Sequence, residues 1–282
     1  MTAILSGKFL VLLYALVTIA HASKNIPQIV GGKRATRKVR RHLVKLELYY
    51  ENGDSSICSG SILDRRHILS AAHCVYSSSE TVEKAYSYVY VGQKRSEPRN
   101  AEAFYFEKVW IPDEYYADED SRFDIAVVKL DTEIPDELYY PIRIAKEPKP
   151  DKKVIAAGYG LTSDGGSDSK YAMQTTVISK SFDECYENDY EEAQDILSEK
   201  YHVCAVSKGW PDKGRTDSCQ GDSGGPLFFK KRGKLYQYGI TSFSYWGCAE
   251  AGGIPWYIRL STFKRQMRRI RKQGSHRRWT TI

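Results

Sequence analysis

The stretch Thr216-Asp217-Ser218-Cys219-Gln220-Gly221-Asp222-Ser223-Gly224-Gly225-Pro226 constrains this chain more than any other. Its glycines crowd a serine that follows an acid. Glycine tolerates tight turns and lets backbones approach closely, so the segment suits a loop whose N–H groups point at a reacting atom rather than into a ladder. Ser223 is the candidate nucleophile. A serine hydroxyl is weak until a base takes its proton, so the reading requires a histidine and a carboxylate elsewhere in the chain. His73, in Leu69-Ser70-Ala71-Ala72-His73-Cys74, and Asp124, in Phe123-Asp124-Ile125-Ala126-Val127-Val128, supply them. The fold must therefore gather three remote segments.

At the N-terminus, basic Lys8 precedes an apolar run from Phe9 to Ala20, and Ala20-His21-Ala22 has the small-x-small form of a signal-peptidase site. Such a run is short for a bilayer span, so residues 1–22 read as a signal peptide and the product as secreted and extracellular. No later segment is apolar for long enough to be transmembrane. Export favours oxidised cysteines, and the six present are an even number, which fits full pairing with the connectivity left open. No Cys-x-x-Cys spacing occurs, which argues against zinc. At 41% hydrophobic and 27% charged residues, the composition is that of a folded chain.

The pattern along the chain is one of short strands and polar turns. Leu43 to Tyr50 alternates as a half-buried strand and stops at Asn52-Gly53-Asp54. Cys58 to Leu63 and Ile68 to Ser70 read as strands joined at Asp64-Arg65-Arg66, and Tyr88 to Gly92 as another. A second block begins at Val154 to Gly160. Leu227 to Phe229 and Leu235 to Ile240 flank the hairpin signal Lys230-Lys231-Arg232-Gly233-Lys234. Phe182 to Lys200 is acid-rich and includes a helical segment. No internal repeat is visible, and the many short strands favour an all-β architecture of closed barrels.

The order His73, Asp124, Ser223, together with Ile29-Val30-Gly31-Gly32, resembles the chymotrypsin-like (trypsin-like) secreted serine proteases over Ile29 to about Leu260. That order differs from those of subtilisins and α/β-hydrolases. The resemblance implies two six-stranded Greek-key β-barrels with the active site between them, plus a C-terminal helix. It implies a propeptide over 23–28, a peptidase domain over 29–263, and a basic C-terminal helix and tail over 264–282. The disulfides it implies are Cys58 with Cys74, Cys185 with Cys204, and Cys219 with Cys248. The new amino group at Ile29, freed by cleavage, would pair with Asp222. Gly221 and Ser223 would donate the oxyanion hole. Ser242, and by analogy Ser70, would satisfy the remaining lone pairs of Asp124.

What the resemblance implies about activity is hydrolysis of protein or peptide substrates through an acyl-enzyme, with no cofactor and no metal. Gln93 and Ala103 stand where relatives carry calcium-binding glutamates, which removes the anionic ligands calcium favours. Asp217, six residues before Ser223, is placed for a pocket base that pairs with Arg or Lys. Several departures bear on competence. Gln28 precedes the activation point, where Arg or Lys is usual, so another protease would have to cut. Ser59 replaces a usual Gly, and Tyr159 a usual Trp. In the pocket, Ser242-Phe243-Ser244 stands for Ser-Trp-Gly, and Pro255 stands on the other wall where Gly is usual; Ser244 and Pro255 both add bulk. A catalytically impaired homologue acting as a binding protein or decoy is therefore the alternative. Protein inhibitors are further expected partners. The acids Asp113, Glu114, Asp118, Glu119 and Asp120 border the cleft in this reading. Lys264, Arg265, Arg268, Arg269, Arg271, Lys272, Arg277 and Arg278 account for much of the net charge of +7 and form a candidate surface for an anionic glycan.

Overall fold

Strands that bury one face and break at Gly-containing turns must close on themselves or pair with another sheet to hide their edges. A computed structural model describes residues 32–78, 81–84, 86–95, 101–161, 169–212, 220–245 and 252–282, and in it both sheets close. The expected signal peptide, propeptide and Ile29 lie outside the described residues, as do Asp217, Cys219 and Cys248.

The first barrel is built from β2 (Leu43–Tyr49), β3 (Ser55–Ile62), β4 (His67–Ser70), β5 (Tyr88–Val91), β6 (Phe104–Pro112) and β7 (Ala126–Leu130). All pairings are antiparallel, and the contact between β6 and β7 completes the ring. The second barrel comprises β8 (Lys153–Gly158), β9 (Met173–Ser179), β10 (His202–Val206), β11 (Pro226–Lys231), β12 (Lys234–Phe243) and β13 (Trp256–Arg259), closed by β8 against β9. The expected pair of six-stranded barrels is thus observed. Each barrel also carries a seventh strand from an end of the chain. β1 (Lys33–Arg34) pairs with β9, and β14 (Trp279–Thr281) pairs with β6.

Strand β2 shows how the sequence pattern translates. Val44, Leu46 and Leu48 are fully buried on one face, as the alternation requires, and Leu43 on the opposite face is buried in a separate cluster with Val39, Tyr159 and Phe228. Lys45 is also buried, at 3% exposure, because β3 and β5 flank it on both edges and it pairs with Glu47 at 2.5 Å. A buried ammonium is tolerated only with such a partner.

The helices are peripheral. α1 (Arg37–Arg40) is a single turn before β2, and α2 (Asp113–Asp118) follows β6. The acid-rich stretch holds α3 (Phe182–Tyr186) and α4 (Glu191–Gln194), with Ser181 capping α3 by accepting from Glu184 N. α5 (Leu260–Gln273) opens four residues before Lys264, directly from β13. Its buried residues Leu260, Phe263, Met267 and Ile270 recur at helical spacing and join the core of the first barrel together with Trp279. Arg271 Nε donates to Asp64 in the β3–β4 turn at 2.5 Å. The tail beyond α5 is therefore not a free extension; it returns as β14. Among the described residues no helix is long and apolar enough to cross a membrane.

Candidate active site

His73 sits on the turn after β4. Ala71 and Ala72 are buried beneath it, and the next residue, Cys74, is disulfide-bonded to Cys58 on β3. Asp124 sits at the mouth of β7, after a 3₁₀ turn over Ser121–Phe123 that Asp120 caps by accepting from Arg122 N at 3.0 Å. The apolar run that follows anchors Asp124 inside, at 3% exposure. Its two oxygens are fully engaged. Oδ1 accepts from His73 N at 2.9 Å, and Oδ2 accepts from His73 Nδ1 at 2.8 Å and from Ser242 Oγ. The imidazole is thereby fixed in position and tautomer.

Burial works against protonating His73, but the charge of Asp124 and its hydrogen bond outweigh it and raise the imidazole above its ordinary value. Burial likewise opposes ionisation of Asp124. The His73 charge, the His73 hydrogen bonds and the Ser242 hydroxyl overcome it and hold the carboxyl below the ordinary range. Ser242 lies on β12, so the second barrel supplies a hydrogen bond to the carboxylate of the first.

Ser223 comes from the loop before β11. Gly224 has φ +77°, and a Cβ there would stand 2.2 Å from Ser70 Oγ and 2.4 Å from Ser59 O, so only glycine fits. Gly224 N donates to Thr241 O at 2.9 Å, Gly225 N donates to Asp222 O at 2.8 Å, and Ser59 N donates to Ser223 O at 2.8 Å. These bonds leave the N–H groups of Gly221 and Ser223 without a protein acceptor among the described residues. Ser223, His73 and Gly221 all line one cleft of 680 Å³. No hydrogen bond joins Ser223 to His73 in this state, and such bonds commonly tighten only once substrate is present.

One contributor is marked in the sequence only as a departure from a usual Gly, with no sign of its role. Ser59 is fully buried, and its Oγ donates to Gly221 O at 2.8 Å while accepting from Tyr159 N at 2.9 Å. The residue that replaces a usual Gly ties the serine loop to both barrels. The structure corrects the expectation for Ser70, whose Oγ donates to Ser59 O at 3.0 Å rather than to Asp124. Asp124 has no need of it, since Ser242 and His73 already surround the carboxylate.

The other expected site residues are placed as follows. Asp222 is 1% exposed, and its Oδ1 accepts from Gly160 N at 2.9 Å. Gly160 is required here by close approach, because a Cβ on it would lie 2.6 Å from Asp222 N. Ser244 is half-buried just past β12, and Pro255 is buried just before β13. Cys185 is bonded to Cys204. The acids before Asp124 are held locally: Asp113 accepts from Thr280, Glu119 from Ser78 N, and Asp120 from Arg122. Cys58, His73 and Cys74 cluster within 4.8 Å, but the two sulfurs are bonded to each other and offer no thiolate to a metal. Gln93 turns its amide back onto Val91 O at 3.1 Å.

Two antiparallel barrels, a buried carboxylate clamping an imidazole, and a serine on a glycine-lined loop in the same cleft define the two-barrel class of serine proteases. The Trypsin family model matches residues 29–267. The chain is 31% identical over 250 residues to "Venom serine protease Bi-VSP" of Bombus ignitus, covering 84% of this chain and 66% of that one. It is 29% identical to "Trypsin" of Saccharopolyspora erythraea over 83% of this chain and 94% of that one. For "Trypsin eta" of Drosophila melanogaster the identity is 28%, over 91% and 94% respectively. The chain belongs to the trypsin family, a family of serine endopeptidases.

Proposed function

We propose that the protein is a secreted serine endopeptidase that cleaves protein and peptide substrates after Arg or Lys, following its own activation by cleavage before Ile29. The observation that carries the reading is the His73–Asp124 pair, closed by two hydrogen bonds and facing the cleft that Ser223 also lines. In this mechanism Ser223 Oγ attacks the scissile carbonyl and His73 Nε2 takes its proton. Asp124 stabilises the imidazolium that results. The N–H groups of Gly221 and Ser223 receive the oxyanion; one such donor is worth roughly 3–4 kcal/mol to the transition state. His73 then protonates the leaving amine and activates a water that releases the acyl group. Every proton transfer runs through side chains of this polypeptide.

Asp217 supports the preference for a cationic guest, because an uncharged side chain would leave a pocket carboxylate unpaired. Gln28 points to an activating protease of different specificity. Residues 1–22 support export, and the exposed basic face of α5, with Lys264, Arg265, Arg268 and Arg269, supports docking on an anionic glycan. Protein inhibitors would enter the same cleft as substrates. The test is a chain beginning at Ile29, assayed on Arg and Lys esters beside Ser223→Ala. Turnover by the first alone is expected; equal turnover by both, or none, refutes the reading. For the glycan, heparin retention that survives deletion of residues 264–282 refutes that part.

A further inference from the structure

One arm of the active cleft leads to a second concavity that the mechanism does not use. From Ser223 and His73 the cleft runs past the Cys58–Cys74 disulfide to Tyr49 and Tyr50 at the end of β2. The same two tyrosines form a wall of an adjoining hollow of 320 Å³, completed by Asp54, Glu83, Tyr86 and Tyr88. None of Ser242, Ser244 or Pro255 borders either space. The acyl half of a substrate would lie against those residues, so this arm receives the half that departs.

The hollow is aromatic and anionic, and its frame is tied down. Tyr86 is 62% exposed and Tyr49 39%, while Tyr88 lies 6.1 Å from Tyr49 between ring centroids and packs on Tyr90 and Tyr105. Glu83 N donates to Tyr49 O at 2.6 Å, Tyr49 N donates to Ser87 Oγ at 3.0 Å, and Ser87 N donates to Glu83 O at 3.0 Å. These bonds fix Glu83 and Ser87 to the end of β2. The nearby Glu47 is already neutralised by Lys45 and accepts from the Tyr88 hydroxyl at 2.6 Å. Asp54 and Glu83 form no ion pair among the described residues; the Asp54 carboxylate accepts from Asn52 Nδ2 at 3.0 Å within its own turn, and its backbone N donates to Asn52 Oδ1 at 2.9 Å. Exposed π-faces beside unpaired carboxylates attract a cation that can be partly desolvated.

We propose that this hollow is a recognition site for an Arg or Lys side chain of the substrate a few residues beyond the scissile bond, so that the enzyme selects substrates basic on their leaving side. The proposal deepens the peptidase reading and rests on it. Quenched peptides carrying Arg, Ala or Glu at successive positions after the cleaved bond measure it as ratios of kcat/KM. At one position Arg exceeds Ala about tenfold and Glu falls below Ala, and added salt shrinks the spread. That ratio drops to about two in Tyr86→Ser and in the isosteric Glu83→Gln. Ratios near one at every position, or ratios unchanged in both variants, overturn the proposal. An Arg ester with no leaving-side residues separates the two ideas: its turnover reports the peptidase reading alone. Should it not be turned over, fluorescence anisotropy of labelled leaving-side peptides on Ser223→Ala decides the matter without catalysis. Arg-over-Ala preference that depends on Glu83 supports the site, and equal binding overturns it.

Discussion

Ser59→Ala tests whether the serine loop is held in register by a hydroxyl that has no part in the chemistry. Two hydrogen bonds are lost, one to Gly221 O and one from Tyr159 N. Each is worth about 1 kcal/mol net, and stranding the N–H of Tyr159, a residue with no exposed surface, adds about 1–3 kcal/mol. The total is about 3 kcal/mol, which for a domain of this size lowers Tm by about 10 °C. The functional effect follows from which peptide is released. With its carbonyl freed, the Gly221–Asp222 peptide can rotate, and the peptide before it, which carries the Gly221 N–H proposed as an oxyanion donor, keeps among the described residues only the bond from Leu161 N to Gln220 O to hold it. Losing such a donor outright costs about 100-fold or more in kcat, so partial misalignment gives a drop of about 10- to 100-fold, with KM changed less than about threefold. The assay is steady-state turnover of an Arg ester by protein beginning at Ile29, with the active fraction titrated by an acylating inhibitor. A variant that loses stability but keeps kcat shows that the loop is positioned without Ser59. A variant unchanged in both refutes the account of its hydrogen bonds.

Three further outcomes are expected. Because the charge of Asp124 raises the His73 pKa, kcat/KM falls with decreasing pH around a midpoint above 6.5; Asp124→Asn loses roughly 10⁴-fold in kcat. A midpoint below 6.5 contradicts the geometry. His202 is fully buried, and burial lowers its pKa from 6.5 to about 4. Between those values the unfolded chain binds the proton and the folded one does not, so stability rises with pH from 4 to 6.5, by about 3 kcal/mol from this group. Urea titrations in which His202→Phe leaves that slope untouched would contradict it. Removing residues 275–282 deletes β14 and exposes the pocket of Trp279, which is 6% exposed in the intact chain. The loss is about 3 kcal/mol by chemical denaturation, and a truncated protein of full stability would show that the strand is an ornament.

The strands and the reacting groups were legible because both leave periodic or positional traces. Leu43 to Tyr49 alternates, the Lys230–Lys234 turn punctuates a hairpin, and His73, Asp124 and Ser223 occur in a distinctive order. The many short strands point to closed barrels, but their division into two six-stranded Greek-key barrels comes from the resemblance, since alternation names a strand but not its neighbours. Ser59 and Ser70 were illegible for a physical reason. A small hydroxyl inside a strand looks the same whether it faces solvent, a carbonyl or a carboxylate, and only the packing of three segments decided that Ser70 donates to Ser59 O while Ser242 takes Asp124. β14 escaped similarly: Trp279-Thr280-Thr281 is too short for a period and follows a run of basic residues, so only its pairing with Trp110, Ile111 and Pro112 reveals it. The leaving-side hollow depends on tyrosines from both β2 and β5, which no linear pattern joins.

The two end strands suggest how the barrels keep the site aligned. His73 and Asp124 belong to the first barrel and Ser223 and Ser242 to the second, so a slip of one barrel against the other would break the Ser242–Asp124 bond and move the serine off the imidazole. The chain enters by pairing β1 with β9 of the second barrel before building the first, and leaves by pairing β14 with β6 of the first after building the second. Each end thus crosses the interface and is fixed by backbone bonds on the far side. The crossing of α5 is reinforced by Phe263, Met267 and Ile270 in the first barrel's core and by Arg271 on Asp64. Residues 268–282, which include the strand that completes this return crossing, lie beyond the stretch that the family model matches. A hydrogen-bonded site split between two bodies needs such cross-ties, because an error of about 1 Å in placing reacting groups costs roughly 100-fold in rate.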